Sequence, residues 1–191
     1  MLEYEIKIPL TEKEFDELLK FEPQNAVTTV QTNYYYDTED FLMNQKNITC
    51  RIREKNGECI ATVKYHNCGD KMCNEEKSVA VNDEFDEVLF FGEGVKMHGT
   101  LVTERTCVMN ESGIRIFRDK NNYLGVTDYE LEIEYSYDEK IHAQKLALYY
   151  EYVLCEKLQI ANSKEFNQRM RNAKSKSQRF FDRLKIIKNN F

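Results

Sequence analysis

The chain has 191 residues, of which 31% are charged, and a net charge of −6. This length suits a single domain over residues 1–191 with a substantial core, and the acidic balance argues against a nucleic-acid-binding surface, which is usually basic. No apolar run approaches the roughly 18 residues of a membrane span, so we expect a cytoplasmic protein without nucleic-acid or membrane partners. The six cysteines form no CxxC pair and the three histidines are dispersed, which disfavours a zinc or histidine-based site.

The N-terminal segment alternates charged and apolar side chains, as a half-buried strand does. Glu3, Glu5 and Lys7 lie on one face, and Leu2, Tyr4, Ile6 and Ile8 lie on the other. Thr11 followed three residues later by Glu14 resembles a capping box, which predicts a short helix after the strand. Residues 26–36 are rich in β-branched and aromatic side chains and predict a long second strand, ending in a turn or helix cap at 37–40.

A basic hairpin follows. Residues 48–55 and 58–64 flank Asn56-Gly57, a strong hairpin signal. Arg51 and Arg53 share a face of the first strand, and Lys64 shares a face with Thr62 on the second. An outward-facing basic pair is the simplest interpretation of this hairpin when it is considered alone.

The later elements include a second acidic strand. We predict strands at 72–81, 97–109, 114–119 and 123–135, a turn at Asn121-Asn122, and helices at 83–91, 141–154 and 164–187. Glu130, Glu132 and Glu134 line one face of the last strand. Adjacent like charges repel unless they are solvated or bound to cations, so we expect this face to be solvated or to bind cations.

Together the charged faces predict a barrel with a polar interior. About eight strands, several joined as antiparallel hairpins, suit an α+β protein whose β-barrel is flanked by helices. Burying so many charges costs several kcal/mol per unpaired ion, and a divalent metal with a multiply charged anion removes that cost. Carboxylates are hard ligands for Mg²⁺ or Mn²⁺, and arginines bind phosphate bidentately. The charged residues are the acids Glu3, Glu5, Glu76, Glu130, Glu132 and Glu134 and the bases Lys7, Arg51, Arg53, Lys64, Arg105 and Arg115.

The sequence resembles the CYTH superfamily, the triphosphate tunnel metalloenzymes. Glu3-x-Glu5-x-Lys7 matches the ExExK signature of that family, and the chain looks most similar to the uncharacterised CYTH subgroup of Gram-positive bacteria. The other matching segments are Tyr34-Tyr35-Tyr36-Asp37-Thr38, Arg51-Ile-Arg53-Glu-Lys, Thr62-Val-Lys64, Thr103-Glu-Arg105, 123–132 and Lys176-Ser-Gln-Arg179-Phe180, which is similar to the family's closing helix.

The resemblance implies an eight-stranded antiparallel tunnel that binds a triphosphate with Mg²⁺ or Mn²⁺. By position, it implies metal ligands at Glu3, Glu5, Glu76, Asp119, Glu130 and Glu132, with Glu75 leaving the register of Glu76 open and Arg118 departing from the pattern before Asp119. It implies phosphate contacts at Lys7, Arg51, Arg53, Lys64 and Arg105, to which we add Arg115 and Arg179 as candidate substrate ligands. An exposed Arg115 and a surface salt bridge at Arg179 are the alternatives.

The leading hypothesis is hydrolysis of inorganic tripolyphosphate by a divalent-metal-dependent triphosphatase. Lys7 would contact the phosphates, and Glu130 or Glu132 would orient the attacking water. The alternatives are a class IV-type adenylate cyclase acting on ATP, a thiamine triphosphatase, and a polyphosphate- or nucleotide-binding module without catalysis. The sequence leaves the choice of triphosphate and the oligomeric state open, with a homodimer as the default.

Overall fold

The structure is a computed structural model that describes residues 2–66, 73–81 and 94–189. Eight antiparallel strands close into a barrel in the order β1-β5-β4-β3-β2-β6-β7-β8, which confirms the predicted architecture. The strands are β1 (Leu2–Leu10), β2 (Val27–Thr38), β3 (Ile48–Lys55), β4 (Glu58–His66), β5 (Cys73–Val81), β6 (Val95–Glu111), β7 (Ile114–Tyr123) and β8 (Val126–Tyr135). The predicted helix at 83–91 and the first residue of the predicted strand at 72–81 lie outside the described residues.

Among the described residues, five α-helices accompany the barrel: α1 (Glu12–Leu18), α2 (Leu42–Gln45), α3 (Lys140–Tyr152), α4 (Ser163–Arg171) and α5 (Lys176–Asn189). The predicted capping box begins α1, since the Glu14 backbone N–H donates to Thr11 Oγ1 and the Thr11 N–H donates to Glu14 Oε2. Helix α3 continues into a π-helical turn at Val153–Lys157. No helix of the described chain is both long and apolar enough to cross a membrane.

The predicted position of one turn and the predicted extent of one helix are wrong. The turn predicted at Asn121-Asn122 lies at Leu124-Gly125, where both residues have positive φ angles as a tight hairpin requires, so Asn121 stays in the strand and is buried. The helix predicted at 164–187 is two helices separated at 172–175. This break brings the first residue of α5 back to the barrel.

The apolar core lies on the outside of the barrel wall. Ile6, Ile8, Ile116, Leu131 and Ile133 are buried beneath helices α1, α3 and α4 in one cluster. Because strand side chains alternate, the charged partners of these residues face inward. The period-2 pattern of β1 and β8 therefore determines which face becomes core and which becomes lumen.

Helix α5 packs on inward-facing apolar residues at one end of the barrel. Its Phe180, Phe181 and Leu184 form a buried cluster with Tyr35, Leu101 and Tyr123. Gly99, with φ of +147°, makes room for this helix, since a Cβ there would lie 3.0 Å from Cζ of Phe180. The helix therefore closes one end of the barrel, and its first turn lies against the charged interior.

Candidate active site inside the barrel

The charged faces predicted from the sequence converge on the barrel interior. A chamber of about 50 Å³ is lined by residues of both signs, among them Glu5, Lys7, Arg53, Lys64, Arg105 and Glu132. The sequence left open whether Glu75 or Glu76 of β5 belongs to the interior face. Glu76 pairs across the sheet with Lys64, whereas the Glu75 side chain is 45% exposed, so Glu76 is the one on the interior face. The interior is therefore a site of densely packed, mostly buried ions.

Three buried carboxylates on β7 and β8 form an acidic triad, defined here as Asp119, Glu130 and Glu132. One oxygen from each lies within 4.8 Å of the others. Burial raises the pKa of Glu130, but the charges of Arg179 and Lys176 outweigh it and hold that pKa at about 2. Burial likewise opposes ionisation of Glu132, yet Lys176 and Lys7 hold its pKa well below the ordinary range. The two glutamates are therefore ionised at neutral pH.

The ammonium group of Lys176 lies in the centre of this triad. Its Nζ is 2.9 Å from Asp119 Oδ2 and 2.9 Å from Glu132 Oε1, and it also contacts Glu130. These carboxylates raise the pKa of Lys176 against the effect of burial. The first residue of α5 therefore occupies the strongest acidic site in the described chain.

The β1 signature connects the triad to the opposite wall. Lys64 Nζ lies 2.6 Å from Glu3 Oε2 and 3.3 Å from Glu5 Oε1, and Lys7 contacts Glu5 and lies 3.3 Å from Glu132 Oε1. Burial raises the pKa of Glu5, but Lys7 and Lys64 outweigh it and hold the pKa at about 2. Glu3, Glu5 and Lys7 thus face the interior as the alternation predicted.

The wall formed by β2 and β3 has the opposite character. Arg53 donates from Nε to Asn33 Oδ1 at 2.9 Å and has no carboxylate within ion-pair distance among the described residues. Burial, together with Arg51 and Arg105, lowers its pKa to about 9. Arg51 lies 3.6 Å from Glu76. Buried N–H donors on this wall, Gln31 Nε2, Asn33 Nδ2 and Arg51 Nε, lack an acceptor among the described residues.

A buried donor without an acceptor costs about 1–3 kcal/mol, and a buried unpaired charge costs more. Every unsatisfied group on this wall is a donor or a cation. The wall therefore has the chemistry of an anion site that is complete only when an anion is bound.

The remaining predicted arginines are paired with acids. Arg105 binds Asp119 with two nitrogens, at 2.9 and 2.6 Å, and also contacts Glu132. Arg115 is 55% exposed and lies 2.7 Å from Glu134 Oε2. Arg179 lies 2.9 Å from Glu130 Oε2 and 2.9 Å from an Asp128 carboxylate oxygen. Arg105 therefore lies within the chamber, while Arg115 reaches solvent at its edge.

A hydrogen-bonded chain leads from Glu5 to α5. Asn74 donates to Glu5 Oε1 at 2.8 Å, and the His66 ring lies 3.2 Å from Asn74 Oδ1 and 2.7 Å from Thr49 Oγ1. Thr49 Oγ1 lies 2.5 Å from Ser177 Oγ. Burial, followed by the charge of Lys64, lowers the pKa of His66 to about 4, so this imidazole is neutral at pH 7. Beside it lies a lateral cavity of about 1130 Å³, which shares His66, Ser175 and Ser177 with the lining of the chamber.

Sequence reasoning assigned no site role to four of these residues. Gln31 and Asn33 share their strand face with Tyr35, and the alternation of β2 could have identified them. Lys176 was recognised only as part of a closing helix, because its place in the triad depends on the break at 172–175. His66 had no local signal.

Comparisons with known proteins agree with this architecture. A family profile described as "CYTH domain" matches residues 1–163. A Bacillus subtilis relative named "Putative triphosphatase YjbK" is 30% identical over 147 residues, covering 70% of this chain and 77% of the relative.

Solved structures share the fold. One from Bacillus halodurans, described as "a putative adenylate cyclase", has a TM-score of 0.64 at 24% identity and covers 94% of this chain and 97% of its own. PH1819 from Pyrococcus horikoshii has a TM-score of 0.58 at 21% identity and covers 78% and 88%, respectively.

Proposed function

This chain belongs to the CYTH domain family, and we propose that it is a divalent-metal-dependent triphosphatase that hydrolyses inorganic tripolyphosphate. The observation that carries the proposal is that Arg53 and the unsatisfied donors of β2 and β3 face the same barrel interior as the buried carboxylate triad of β7 and β8. A polyanion with a divalent cation complements both halves at once. The name of the Bacillus subtilis relative, a putative triphosphatase, supports the same class of reaction.

The donor wall is the proposed phosphate site. Arg51 and Arg53 present guanidinium groups that match phosphate oxygens bidentately, and Lys7 and Lys64 add point charges from the adjoining strands. These groups hold and orient the substrate and offset the charge that develops on the transferred phosphoryl group and its leaving group. Arg105 extends the same cationic surface, while Arg115 and Arg179 are proposed as outer contacts.

The acidic triad fits a divalent metal. Its donors are hard oxygens, they are buried and ionised, and they already surround a cation, which is the set that Mg²⁺ or Mn²⁺ prefers. Glu3 and Glu5 on β1, which pairs with β8, and Glu76 on the next strand, β5, are proposed as further carboxylate ligands. A bound metal would supply Lewis-acid polarisation of phosphate oxygens and a more acidic attacking water. The low pKa of Glu130 and of Glu132 favours roles in binding the metal and orienting water over proton abstraction.

The lateral cavity bears on the choice of substrate. The described residues that line it are largely amides and bases, including Asn44, Asn47, Asn172, Arg171 and Lys174, with no Phe or Tyr side chain among them. Among the described lining residues, a nucleobase or the rings of thiamine would find the His66 imidazole but no larger aromatic side chain for stacking. This lining favours an inorganic phosphate chain over ATP or thiamine triphosphate.

The test is phosphate release from a substrate panel. Tripolyphosphate, ATP, thiamine triphosphate and pyrophosphate are each incubated with Mg²⁺, Mn²⁺ or EDTA. We expect release from tripolyphosphate with either metal, none with EDTA, and a loss of at least about a hundredfold in Glu5→Gln and Arg53→Ala, as is usual for charge-stabilising groups. Lys77→Ala, on an exposed side chain, is the control.

Other outcomes would replace the proposal. Cyclic AMP formed from ATP would identify a cyclase, and tight tripolyphosphate binding without turnover would identify a binding module. Full activity in Glu5→Gln and Arg53→Ala would remove both residues from the mechanism.

A further inference from the structure

The position of Lys176 raises the question of how a metal enters the triad. Its ammonium takes one oxygen from each of Asp119, Glu130 and Glu132, with two of the contacts at 2.9 Å. The Lys176 side chain is buried. The lysine is therefore an internal cation bound where an external one would bind.

A divalent ion and this ammonium group cannot share the triad. Mg²⁺ requires oxygens at about 2.1 Å in near-octahedral geometry, and Nζ lies among those oxygens. Electrostatics act in the same direction, since Arg105 and Arg179 already neutralise part of the triad. Two further positive charges on the same oxygens would be repulsive at low local dielectric. One of the two cations has to leave.

Lys176 lies between two hydrogen-bonded serines at the start of α5. Ser177, the next residue, bonds to Thr49, and Ser175 bonds to Ser177 at 3.0 Å. Ser175 and Ser177 line both the chamber and the lateral cavity. Displacing Lys176 therefore shifts the segment that separates the two spaces, whereas Phe180 and Phe181 hold the rest of α5 in the barrel.

We propose that Lys176 and a divalent cation are mutually exclusive occupants of the triad, so that metal binding expels Lys176 and opens the chamber to the lateral cavity. This inference rests on the proposed function, because it takes the triad as the metal site. When Lys176 occupies the triad in most molecules, the apparent metal affinity equals the intrinsic affinity multiplied by the fraction of molecules in which the triad is free.

The first test measures Mn²⁺ binding to the full chain without substrate, by calorimetry and by the loss of the free-ion EPR signal. Lys176→Met removes the tethered charge and keeps much of the side-chain volume. Lys174→Met is the matched control, because it removes the same charge two residues away, where the ammonium lies 2.8 Å from Asp182. We expect at least about tenfold tighter binding in Lys176→Met and wild-type affinity in Lys174→Met. Unchanged or weaker binding in Lys176→Met would overturn the inference.

The second test needs no variant and decides the matter if Lys176→Met does not fold. Hydrogen exchange of the wild type is followed with and without saturating Mg²⁺. We expect the backbone amides of residues 176–180 to exchange several times faster with Mg²⁺, while those of β7 slow down. Equal exchange at 176–180 would show that Lys176 stays in place.

The two proposals fail in different ways. Metal-dependent phosphate release, together with unchanged Mn²⁺ affinity in Lys176→Met, refutes the displacement alone. Phosphate release that persists in EDTA, with no Mn²⁺ binding to either protein, refutes the metal-dependent function and the displacement that rests on it.

Discussion

Arg53 is a largely enclosed cation that has no carboxylate within ion-pair distance among the described residues, so its removal should raise stability and lower activity. The nearest cations, Arg51 and Arg105, add to the burial penalty and lower the pKa of Arg53 to about 9. Because the charged form is the one present at pH 7, the folded state carries the full penalty there and at every lower pH. Replacing the charge with a neutral side chain removes it.

The magnitude follows from the pKa. The fall from an ordinary value above 12 to about 9 corresponds to roughly 5 kcal/mol against the charged form. Loss of the hydrogen bond to Asn33 costs the variant about 1 kcal/mol, and solvent relaxation makes the burial penalty of Arg53 smaller than its pKa alone indicates. We therefore expect Arg53→Met to raise the free energy of unfolding by about 1–3 kcal/mol, while phosphate release from tripolyphosphate falls at least about a hundredfold.

Arg105→Met is the matched control from the same chamber. Arg105 is paired with Asp119 and Glu132, so its removal takes one cation from two buried carboxylates, and the cost approaches the roughly 3–5 kcal/mol of a broken buried ion pair. Urea unfolding at pH 7 measures both variants. Destabilisation of Arg53→Met by more than about 1 kcal/mol, or equal signs for the two variants, would refute the assignment of Arg53 to an anion site.

Two further predictions concern the same interior. The pKa of His66 is about 4 in the folded protein and near 6.5 when unfolded, so the unfolded state takes up the proton first as the pH falls. The contribution of His66 to the free energy of unfolding is therefore fully present above about pH 6.5 and decreases toward pH 4 by roughly 2–3 kcal/mol. In urea unfolding between pH 6.5 and 4.5, His66→Gln should flatten this slope, whereas His142→Gln at an exposed site should not. Equal slopes in the two variants would contradict the burial argument. Gly99→Ala should cost about 1–3 kcal/mol by thermal unfolding, because φ is +147° and the new Cβ would press on Phe180. Gly57→Ala has a positive φ but no atom within 4 Å and should cost less; an equal cost would show that contact with α5 adds nothing.

The apolar and charged faces of the strands could be predicted from single strands. In β1, the alternation of Glu3, Glu5 and Lys7 with Ile6 and Ile8 separated the two faces, because a two-residue period leaves only one assignment with an apolar core. That the charged face turns inward followed only from the matching charged faces of the later strands. The Asn56-Gly57 hairpin was equally local. The end of β7 near Asn121 could not be predicted locally. The two asparagines are a local turn signal, but the pairing of β7 with β8 continues through them and places the turn at Leu124-Gly125.

The sequence by itself determined which side chains face the lumen, since pleating and burial of apolar residues act over a few neighbouring positions. It did not determine which of those charges find partners. Arg53 and Arg105 look alike in the sequence, yet one lies against a wall of donors and the other between carboxylates from β7 and β8. Only closure of the barrel and the return of α5 decide this, because ion pairing depends on distances between strands far apart in the chain, and Lys176 reaches the triad only through the break at 172–175.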